Sequence, residues 1–185
     1  ARRPLDGDEK AVLEEPLRDL EFVGLLGLAD VARDTSPDLV RGLREASVRP
    51  VVLTGDHPQT AHAIATDLGW PEDATVVTGD ELAAADRSAR SRMLRDADVV
   101  ARVAPEQKLQ VVEALRDAGR VVGMVGDGAN DAAAIRAADI GVGINARGSA
   151  AARNAADLVV TGEDLLVLVE AVREGRALWH SVADA

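Results

Sequence analysis

The sequence predicts an α/β fold, built as a doubly wound, mostly parallel β-sheet with helices on both faces. Short runs rich in Val, Ile and Leu alternate with Ala-rich segments of helical periodicity, which is the pattern of repeated βαβ units. Several of these apolar runs are continuous, as expected for strands that are covered on both faces. Hydrophobic residues make up 47% of the 185 residues, enough to fill the core of such a fold.

Seven segments are predicted strands, and turn-forming or charged residues bound most of them. In chain order they are Phe22–Leu28, Arg49–Thr54, Thr75–Thr78, Asp98–Val103, Val121–Val125, Ile140–Ile144 and Leu158–Val160. Helical segments lie between most of them, so consecutive strands are expected to run parallel and to be joined by crossover helices.

Seven helices are predicted: Pro37–Ala46, Gln59–Leu68, Glu81–Leu94, Glu106–Ala118, Asp131–Ala138, Ser149–Ala156 and Asp164–Val182. Ser36, followed by a proline, is the expected N-cap of the first helix. Pro58 and Pro105 suit the first turn of two others. Gly69 and Gly119 follow two predicted helix ends, where a left-handed C-cap favours glycine.

The composition excludes several classes of protein. A formal net charge of −11 argues against a nucleic-acid backbone as ligand, and 2% aromatic residues argue against base stacking. The absence of cysteine excludes disulfides, thiol catalysis and thiolate metal sites. No apolar run reaches the roughly 18 residues of a membrane-spanning helix, and the N-terminus lacks the layout of a signal peptide. We therefore expect no nucleic-acid partner and no transmembrane span in this chain.

The first motif of chemical interest is Thr54-Gly55-Asp56, which follows an apolar strand and precedes a helix. Loops at the carboxyl ends of parallel strands converge on the ligand crevice of open α/β sheets. Gly55 would allow a ligand to approach the backbone closely, and the N–H groups at the start of the helix suit a phosphate oxygen. The alternative is an ordinary turn in which Asp56 is the N-cap of the helix.

The second motif, Gly126-Asp127-Gly128-Ala129-Asn130-Asp131, follows the predicted strand Val121–Val125. Two carboxylates and an amide within five residues supply the hard oxygen ligands that Mg²⁺ prefers, and Mg²⁺ commonly bridges to a phosphate. The alternative is capping and turn chemistry, since Gly, Asn and Asp are common turn residues. The position after a buried strand favours the metal site.

The third motif, Arg102-Val103-Ala104-Pro105-Glu106-Gln107-Lys108, places a lysine in the first turn of a helix, where the helix dipole disfavours a cation. A nearby anion would explain it, and a solvated surface lysine is the alternative. Together the three motifs predict phosphoryl-transfer chemistry, which depends on positioning and charge neutralisation. No GxxxxGK[ST] segment occurs, which excludes a P-loop NTPase.

In this order and spacing, the three motifs resemble the phosphorylation domain of a P-type cation-transporting ATPase, a member of the haloacid dehalogenase-like superfamily. The segments Gly27–Arg33, Val76–Leu82, Ala156–Val160 and Glu174–Trp179 also fit that family. The sequence departs from the family pattern at Val31 and Ala133, where prolines are usual, and at Gly143-Ile144-Asn145. The resemblance implies a Rossmann-like, haloacid dehalogenase-like sheet.

The resemblance also implies a role for each matching residue. Thr54, Gly55 and Asp56 would hold the transferred phosphoryl group and position water, and Lys108 would neutralise phosphate charge. Mg²⁺ would be bound by Asp127, with Asn130 and Asp131 completing the site. Asp30 and Arg33 would lie at the hinge to the nucleotide-binding domain and contact ATP.

The resemblance divides the chain into three parts. Residues 1–21 would be a linker or the end of the nucleotide-binding domain, residues 22–170 the C-terminal part of the phosphorylation domain, and residues 171–185 a stalk helix toward the next transmembrane span. The chain would be a cytoplasmic domain of an integral membrane pump, with ATP, the transported cation and the pump's other domains as partners.

The family's nucleophile is the Asp of a DKTGT motif, and no such motif occurs in this chain. We therefore expect an excised piece whose sheet is incomplete at the strand that carries the nucleophile, which is inactive alone and marginally stable. Two alternatives remain open. One is a free-standing Mg²⁺-dependent phosphatase of the superfamily, and the other is a non-catalytic module that binds Mg²⁺ or a phosphorylated ligand.

Overall fold

The computed structural model describes residues 22–24, 32–144, 149–162 and 164–183. Contacts divide the chain into two units, residues 1–31 and residues 32–185, and the second contains all the helices and strands described below. The predicted strand Phe22–Leu28 is absent where it is described, because Phe22–Gly24 form no strand, and its remainder lies outside the described residues. Asp30 and Val31 also lie outside them.

The elements alternate between helix and strand for most of the chain, as the sequence predicts. The first half contains α1 (Ser36–Glu45), β1 (Val52–Leu53), α2 (Pro58–Asp67), β2 (Val76–Thr78), α3 (Gly79–Ala84), α4 (Arg87–Asp96), β3 (Val99–Ala101) and α5 (Pro105–Asp117). The second half contains β4 (Gly123–Gly126), a 3₁₀ turn (Ala129–Asp131), α6 (Ala132–Ala137), β5 (Ile140–Ile144), α7 (Ala150–Ala155), β6 (Leu158–Val160) and α8 (Val167–Ala183).

The strands pair in parallel, which confirms the predicted fold class, but they form two sheets within the described residues. The first sheet has the order β1-β3-β2 and the second the order β4-β5-β6. The predicted single sheet is therefore interrupted between β1 and β4, which do not pair with each other. Each of these two strands is the edge of its own sheet.

Strand β3 lies at the centre of the first sheet and is completely buried. Val99, Val100 and Ala101 have no exposed surface. Successive side chains of a strand point to opposite faces, so Val100 packs in a cluster with Leu82 and Leu94, whereas Val99 and Ala101 pack in another with Trp70. Helices cover both faces of this strand, as its continuous apolar sequence predicts.

Helix α5 packs on the cores of both sheets. Its Val111 belongs to the cluster of the first sheet, and the neighbouring Val112 belongs to the cluster around Met124 and Ile135 in the second. Leu53 of β1 also packs against both clusters. The two sheets are therefore joined through side chains and one helix, although no strand pairing connects them.

Two predicted helix features are wrong. The predicted helix Glu81–Leu94 is two helices, because Asp86 interrupts it and caps the second by accepting a hydrogen bond from the Ala89 N–H at 2.8 Å. Ser36 is the first residue of α1 and not its N-cap, because the turn begins earlier and Thr35 occupies the N-cap position. The left-handed glycines are confirmed, with φ of 98° at Gly69 and 75° at Gly119.

The last helix, α8, packs on α1 through one face. Val169 is buried against Gly42, the Arg173 guanidinium lies 3.7 Å from the Glu45 carboxylate, and Arg176 donates to the Ala46 carbonyl. Toward its end the apolar side chains of Leu178, Trp179 and Val182 are exposed. Among the described residues, none of the helices combines the length and apolar character needed to cross a membrane. The stalk assignment stays a prediction.

Candidate active site

The three motifs follow the carboxyl ends of β1, β3 and β4, and direct contacts link them. After β3, the Arg102 N–H donates to the Asp56 carbonyl at 2.9 Å, and the Val103 N–H donates to the Thr54 carbonyl at 3.1 Å. On the first turn of α5, the Lys108 ammonium contacts the Asp131 carboxylate at 2.6 Å. A continuous series of contacts therefore runs from the first motif through the third to the second.

The turn after β1 is closed by its own side chains. The Thr54 hydroxyl donates to the Asp56 carboxylate at 2.9 Å and accepts from the Asp56 N–H at 3.1 Å. The N-cap of α2 is His57, whose Nδ1 accepts from the Gln59 N–H at 3.3 Å, so the alternative that Asp56 caps this helix is wrong. The Asp56 side chain stays exposed at the carboxyl end of the strand.

Packing does not require glycine at position 55. A Cβ added there would lie 3.7 Å from the Val103 carbonyl, which is ordinary van der Waals contact. The backbone is therefore open at Gly55, and this exposed turn could admit a phosphoryl oxygen next to its N–H groups.

The residue after β3, Arg102, has a φ of 52°, which L-residues other than Gly, Asn and Asp seldom adopt. Such strain is concentrated at functional sites. The Arg102 N–H donates to the Asp56 carbonyl at this position, and Ser47, outside the three motifs, has a similar φ of 53°. Arg102 belongs to the third motif, but its conformation is not predicted from the sequence, because an arginine carries no signal for a left-handed backbone.

Lys108 is not a solvated surface lysine. Its side chain is 18% exposed, and the anion that explains its position in the first turn is Asp131, whose side chain is 10% exposed. The Asp131 carboxylate uses its other oxygen to accept from the Gly128 N–H at 3.1 Å. The expectation of an anion near Lys108 is therefore met by a residue of the second motif.

The other two oxygen-bearing side chains of the second motif differ from Asp131. Asp127 and Asn130 are exposed, and neither side chain has a hydrogen-bond partner within the ranges the structure covers. The Asp127 carbonyl accepts from the Ser149 N–H at 2.7 Å, which holds the loop against α7. A free carboxylate beside a free amide fits Mg²⁺, which is typically held by one or two carboxylates, water and substrate phosphate.

The described part of the chain contains no group of three or more His, Asp or Glu side chains that could enclose a metal alone. This is consistent with the donor set above, because a site that relies on phosphate and water needs few protein ligands. Arg33, which is predicted to lie at the hinge, is exposed, and its carbonyl accepts from the Ser36 N–H at 2.9 Å. No contact described here connects Arg33 to the three motifs.

Three carboxyl groups outside this site have clearly lowered pKa values. Hydrogen bonds from Thr78 lower the pKa of Glu81, the Ala89 N–H lowers the pKa of Asp86, and the Val122 N–H lowers the pKa of Asp139. All three are structural, since the first two cap helices and the third holds the chain before β4.

The scarcity of lysine in the composition marks the site. Of the 21 lysines and arginines, only Lys10 and Lys108 are lysines. Arginine presents a planar fork of donors, whereas lysine is a compact point charge. In a chain that otherwise uses arginine almost throughout, the lysine in this helix indicates a position where the compact ammonium is needed.

Comparison with known proteins agrees with the geometry. The profile of the haloacid dehalogenase-like hydrolases matches residues 2–139, and the chain belongs to this family. It is 53% identical over 180 residues to the "Probable cation-transporting ATPase I" of Mycobacterium tuberculosis (strain CDC 1551 / Oshkosh), covering 97% of this chain and 11% of that protein. It is 37% identical over 183 residues to the "Calcium-transporting ATPase" of Bacillus subtilis (strain 168), covering 98% of this chain and 21% of that protein.

The fold is also similar to a solved structure, the catalytic domain of the CPx-ATPase CopB-B. That comparison has a TM-score of 0.59 and 24% sequence identity, and it covers 78% of this chain and 46% of the other. These matches confirm the resemblance that the motifs indicate. The chain spans between a tenth and about a fifth of the length of the two ATPases.

Proposed function

We propose that this chain is part of the phosphorylation domain of an ATP-driven P-type cation pump. The observation that carries the proposal is the series of contacts that joins the Thr54-Gly55-Asp56 turn to Lys108 and Asp131 across three strand ends. The names of the relatives at 53% and 37% identity support a pump as the parent protein.

The exposed turn at Gly55 and Asp56 would lie next to the oxygens of the transferred phosphoryl group. The Thr54 hydroxyl, which donates to Asp56 in this structure, would turn from Asp56 to donate to one of these oxygens. Lys108 would lie on the other side of the group and neutralise charge that develops on its oxygens. Asp127 and Asn130 would hold Mg²⁺, which supplies further charge neutralisation when it is bound. ATP would reach the site from a nucleotide-binding domain through the hinge at Asp30 and Arg33.

The nucleophilic aspartate would come from a strand that pairs between β1 and β4. Both strands have an unpaired edge within the described residues, both sheets are parallel, and Leu53 and α5 pack on both cores. Such a strand would place a DKTGT segment at the carboxyl ends of its neighbours, next to the three motifs. We then expect the chain alone to form no phosphoenzyme. The complete pump that contains it is expected to form a phosphoenzyme in its cytoplasmic domain.

Acid-stable labelling of the complete pump with γ-³²P-ATP tests the proposal. Asp127→Asn is expected to reduce phosphoenzyme at least tenfold at millimolar Mg²⁺, about 1.4 kcal/mol of transition-state stabilisation. Asp73→Asn is the matched control, because Asp73 is an exposed carboxylate in a turn distant in sequence from the motifs. Unimpaired labelling of the Asp127 variant would contradict the Mg²⁺ role.

The matching family is described as hydrolases, so we keep one alternative function, a free-standing phosphatase. A free-standing phosphatase would hydrolyse p-nitrophenyl phosphate with Mg²⁺ when the chain is assayed alone. We expect no turnover, because none of the three motifs supplies a nucleophile. Turnover by the wild-type chain that is lost in Asp127→Asn would favour the phosphatase. Tight binding of Mg²⁺ or phosphate, with no turnover either by the chain or by a longer protein that contains it, would favour a non-catalytic module.

A further inference from the structure

Each oxygen of the Asp131 carboxylate has a partner within the protein. One oxygen contacts the Lys108 ammonium at 2.6 Å, and the other accepts from the Gly128 N–H at 3.1 Å. Asp131 is 7% exposed and is the one buried polar or charged residue in the segments that the structure describes. Both the charge and the hydrogen-bonding capacity of this side chain are thus largely satisfied before any ligand arrives.

The glycines of the second motif make room for this carboxylate. A Cβ at position 126 would lie 2.6 Å from the Asp131 Cβ and 2.9 Å from its Oδ2, and a Cβ at position 128 would lie 3.2 Å from the same oxygen. Neither glycine has a positive φ. Space beneath the loop, and not backbone conformation, therefore requires glycine at Gly126, and Gly128 is close to the same limit.

The ion pair between Lys108 and Asp131 is stable only when both partners are present. Removing one partner of a mostly buried ion pair leaves an uncompensated charge, which costs more than the pair itself contributes. Mg²⁺ at Asp131 would bring a second cation next to the Lys108 ammonium, at a carboxylate that is 7% exposed. Asp127 and Asn130 lie on the exposed side of the same loop.

We propose that Asp131 is a positioning residue that holds Lys108 in place, and that it is not a ligand of Mg²⁺. Gly126 and Gly128 are the loop positions that let its carboxylate lie beneath the turn. The Mg²⁺ part of this inference rests on the proposed function, because it assumes that the Asp127 loop binds Mg²⁺. The positioning part concerns the chain alone and can be tested without phosphoryl transfer.

The scarcity of lysine gives a sharp test of positioning. Limited acetylation of the 185-residue chain, read by mass spectrometry, reports Lys108 with Lys10 as the comparison in the same molecule. We expect Asp131→Asn to raise the Lys108 rate relative to Lys10 about tenfold, a factor that corresponds to roughly 1.4 kcal/mol of lost protection. Asp131→Glu keeps a carboxylate and should restore part of the protection, whereas Asp73→Asn, at an exposed carboxylate outside the three motifs, should change nothing.

Gly128→Ala is a second variant that keeps Asp131 but displaces its carboxylate by a few tenths of an ångström. Gly128→Ala should raise Lys108 labelling by less than Asp131→Asn does. Gly123→Ala is the control, because a Cβ at position 123 would lie 3.9 Å from its nearest neighbour. Circular dichroism and thermal unfolding identify variants that fail to fold. Equal Lys108 rates in the folded wild-type and Asp131→Asn chains would overturn the positioning role.

The metal part is tested in the complete pump by titrating Mg²⁺ during phosphoenzyme formation. Asp127→Asn should raise the Mg²⁺ concentration at half-maximal labelling at least tenfold. Asp131→Glu should lower the maximal amount of phosphoenzyme. It should leave the Mg²⁺ concentration at half-maximal labelling within about twofold of wild type, whereas the tenfold shift expected for Asp127→Asn corresponds to about 1.4 kcal/mol. An Asp131→Glu shift as large as that of Asp127→Asn would overturn the inference. Absence of any phosphoenzyme in wild type would instead overturn the proposed function and leave the acetylation result standing.

Discussion

The two sheets of this domain are built from different residues. In the first, the central strand β3 consists of valine and alanine that are completely buried between two helical layers. In the second, β4 reads Gly-Met-Val-Gly and β5 reads Ile-Gly-Val-Gly-Ile, and Val125, Ile140 and Leu158 are each at least 40% exposed. One sheet is covered on both faces by side chains, and the other has glycines where the first has branched residues.

The second sheet contains more glycine because a helix and an ion pair must approach its strands closely. A Cβ at Gly141 would lie 2.6 Å from the Ile135 carbonyl, so glycine in β5 allows α6 to approach the sheet closely. Gly126 at the end of β4 leaves room for Asp131. The first sheet thus contributes most of the packing, and the second gives up side-chain burial to bring a helix and a buried ion pair next to the strand ends.

The largest expected effect is in the core of the first sheet. Leu94 is 2% exposed and packs with Val100, so Leu94→Ala should lower the free energy of unfolding by about 2–5 kcal/mol. Urea denaturation measures this. Leu178→Ala is the control, since Leu178 is 66% exposed and its truncation should stay within about 0.5 kcal/mol. Equal losses in the two variants would show that the first sheet is not the main source of stability.

The next effect distinguishes the glycines of the second sheet. Gly141→Ala should cost about 1–3 kcal/mol, because the new methyl group would overlap a backbone carbonyl that cannot move cheaply. Gly123→Ala, on the neighbouring strand, meets only a contact at 3.9 Å and should be close to neutral. Thermal unfolding of both variants checks the pair. If both were neutral, close approach of α6 would not explain the glycine.

A smaller effect is expected at the helix after β5. The Ser149 hydroxyl accepts from the Ala152 N–H at 3.1 Å and caps α7. Ser149→Ala should cost about 1 kcal/mol, and Ser149→Asp should recover most of it, because aspartate is an equally good N-cap. The backbone bond from the Ser149 N–H to the Asp127 carbonyl is kept in both variants. Loss of stability in the aspartate variant as large as in the alanine variant would contradict the capping role.

The smallest effect is a dependence of stability on acidic pH. The native pKa of Glu81 is lowered from 4.5 and those of Asp86 and Asp139 from 3.8, each chiefly by a hydrogen bond to the ionised form. Groups with lowered native pKa values stabilise the fold above their unfolded pKa values, and this contribution is lost as the pH falls through the native ones. Unfolding measured from pH 6 down to about 3 should show the decline, since unperturbed carboxyls titrate near 4.

Asp139→Asn is the variant that assigns part of that decline to the second sheet. Its carboxylate accepts from the Val122 N–H at 2.9 Å and pairs with Arg116. The variant should be less stable than wild type near neutral pH, and its stability should fall less on acidification. An unchanged slope would show that Asp139 makes no contribution to the pH dependence.

The sequence predicts the elements of this fold better than it predicts the contacts between them. Strands β5 and β6 have the predicted bounds, because each is a short apolar run with a clear end. The strand at Arg49–Thr54 is reduced to the two residues Val52–Leu53, because β3 is its only partner among the described residues. Asp86 divides a predicted helix, since a capping residue can begin a new helix inside an otherwise helical pattern.

The site was predicted as three motifs, and the structure brings these together through contacts that spacing alone does not determine. Spacing places Asp127 and Asp131 in one loop, but it does not show that one is exposed and the other buried beneath it. It places Lys108 near an anion without identifying which. The left-handed conformation of Arg102 has no local pattern to detect. The cap at His57 is a local contact, but histidine is not among the residues preferred at N-caps.

The central claim is that the two sheets are halves of one phosphoryl-transfer domain, closed by a strand between β1 and β4. Hydrogen exchange tests it, comparing peptides that cover residues 50–55 and 121–126 in this chain and in the complete pump. We predict exchange at least tenfold slower in the pump for both peptides, about 1.4 kcal/mol of added protection, while β3 is equally protected in both. Equal exchange of β1 and β4 in the two proteins would contradict the claim.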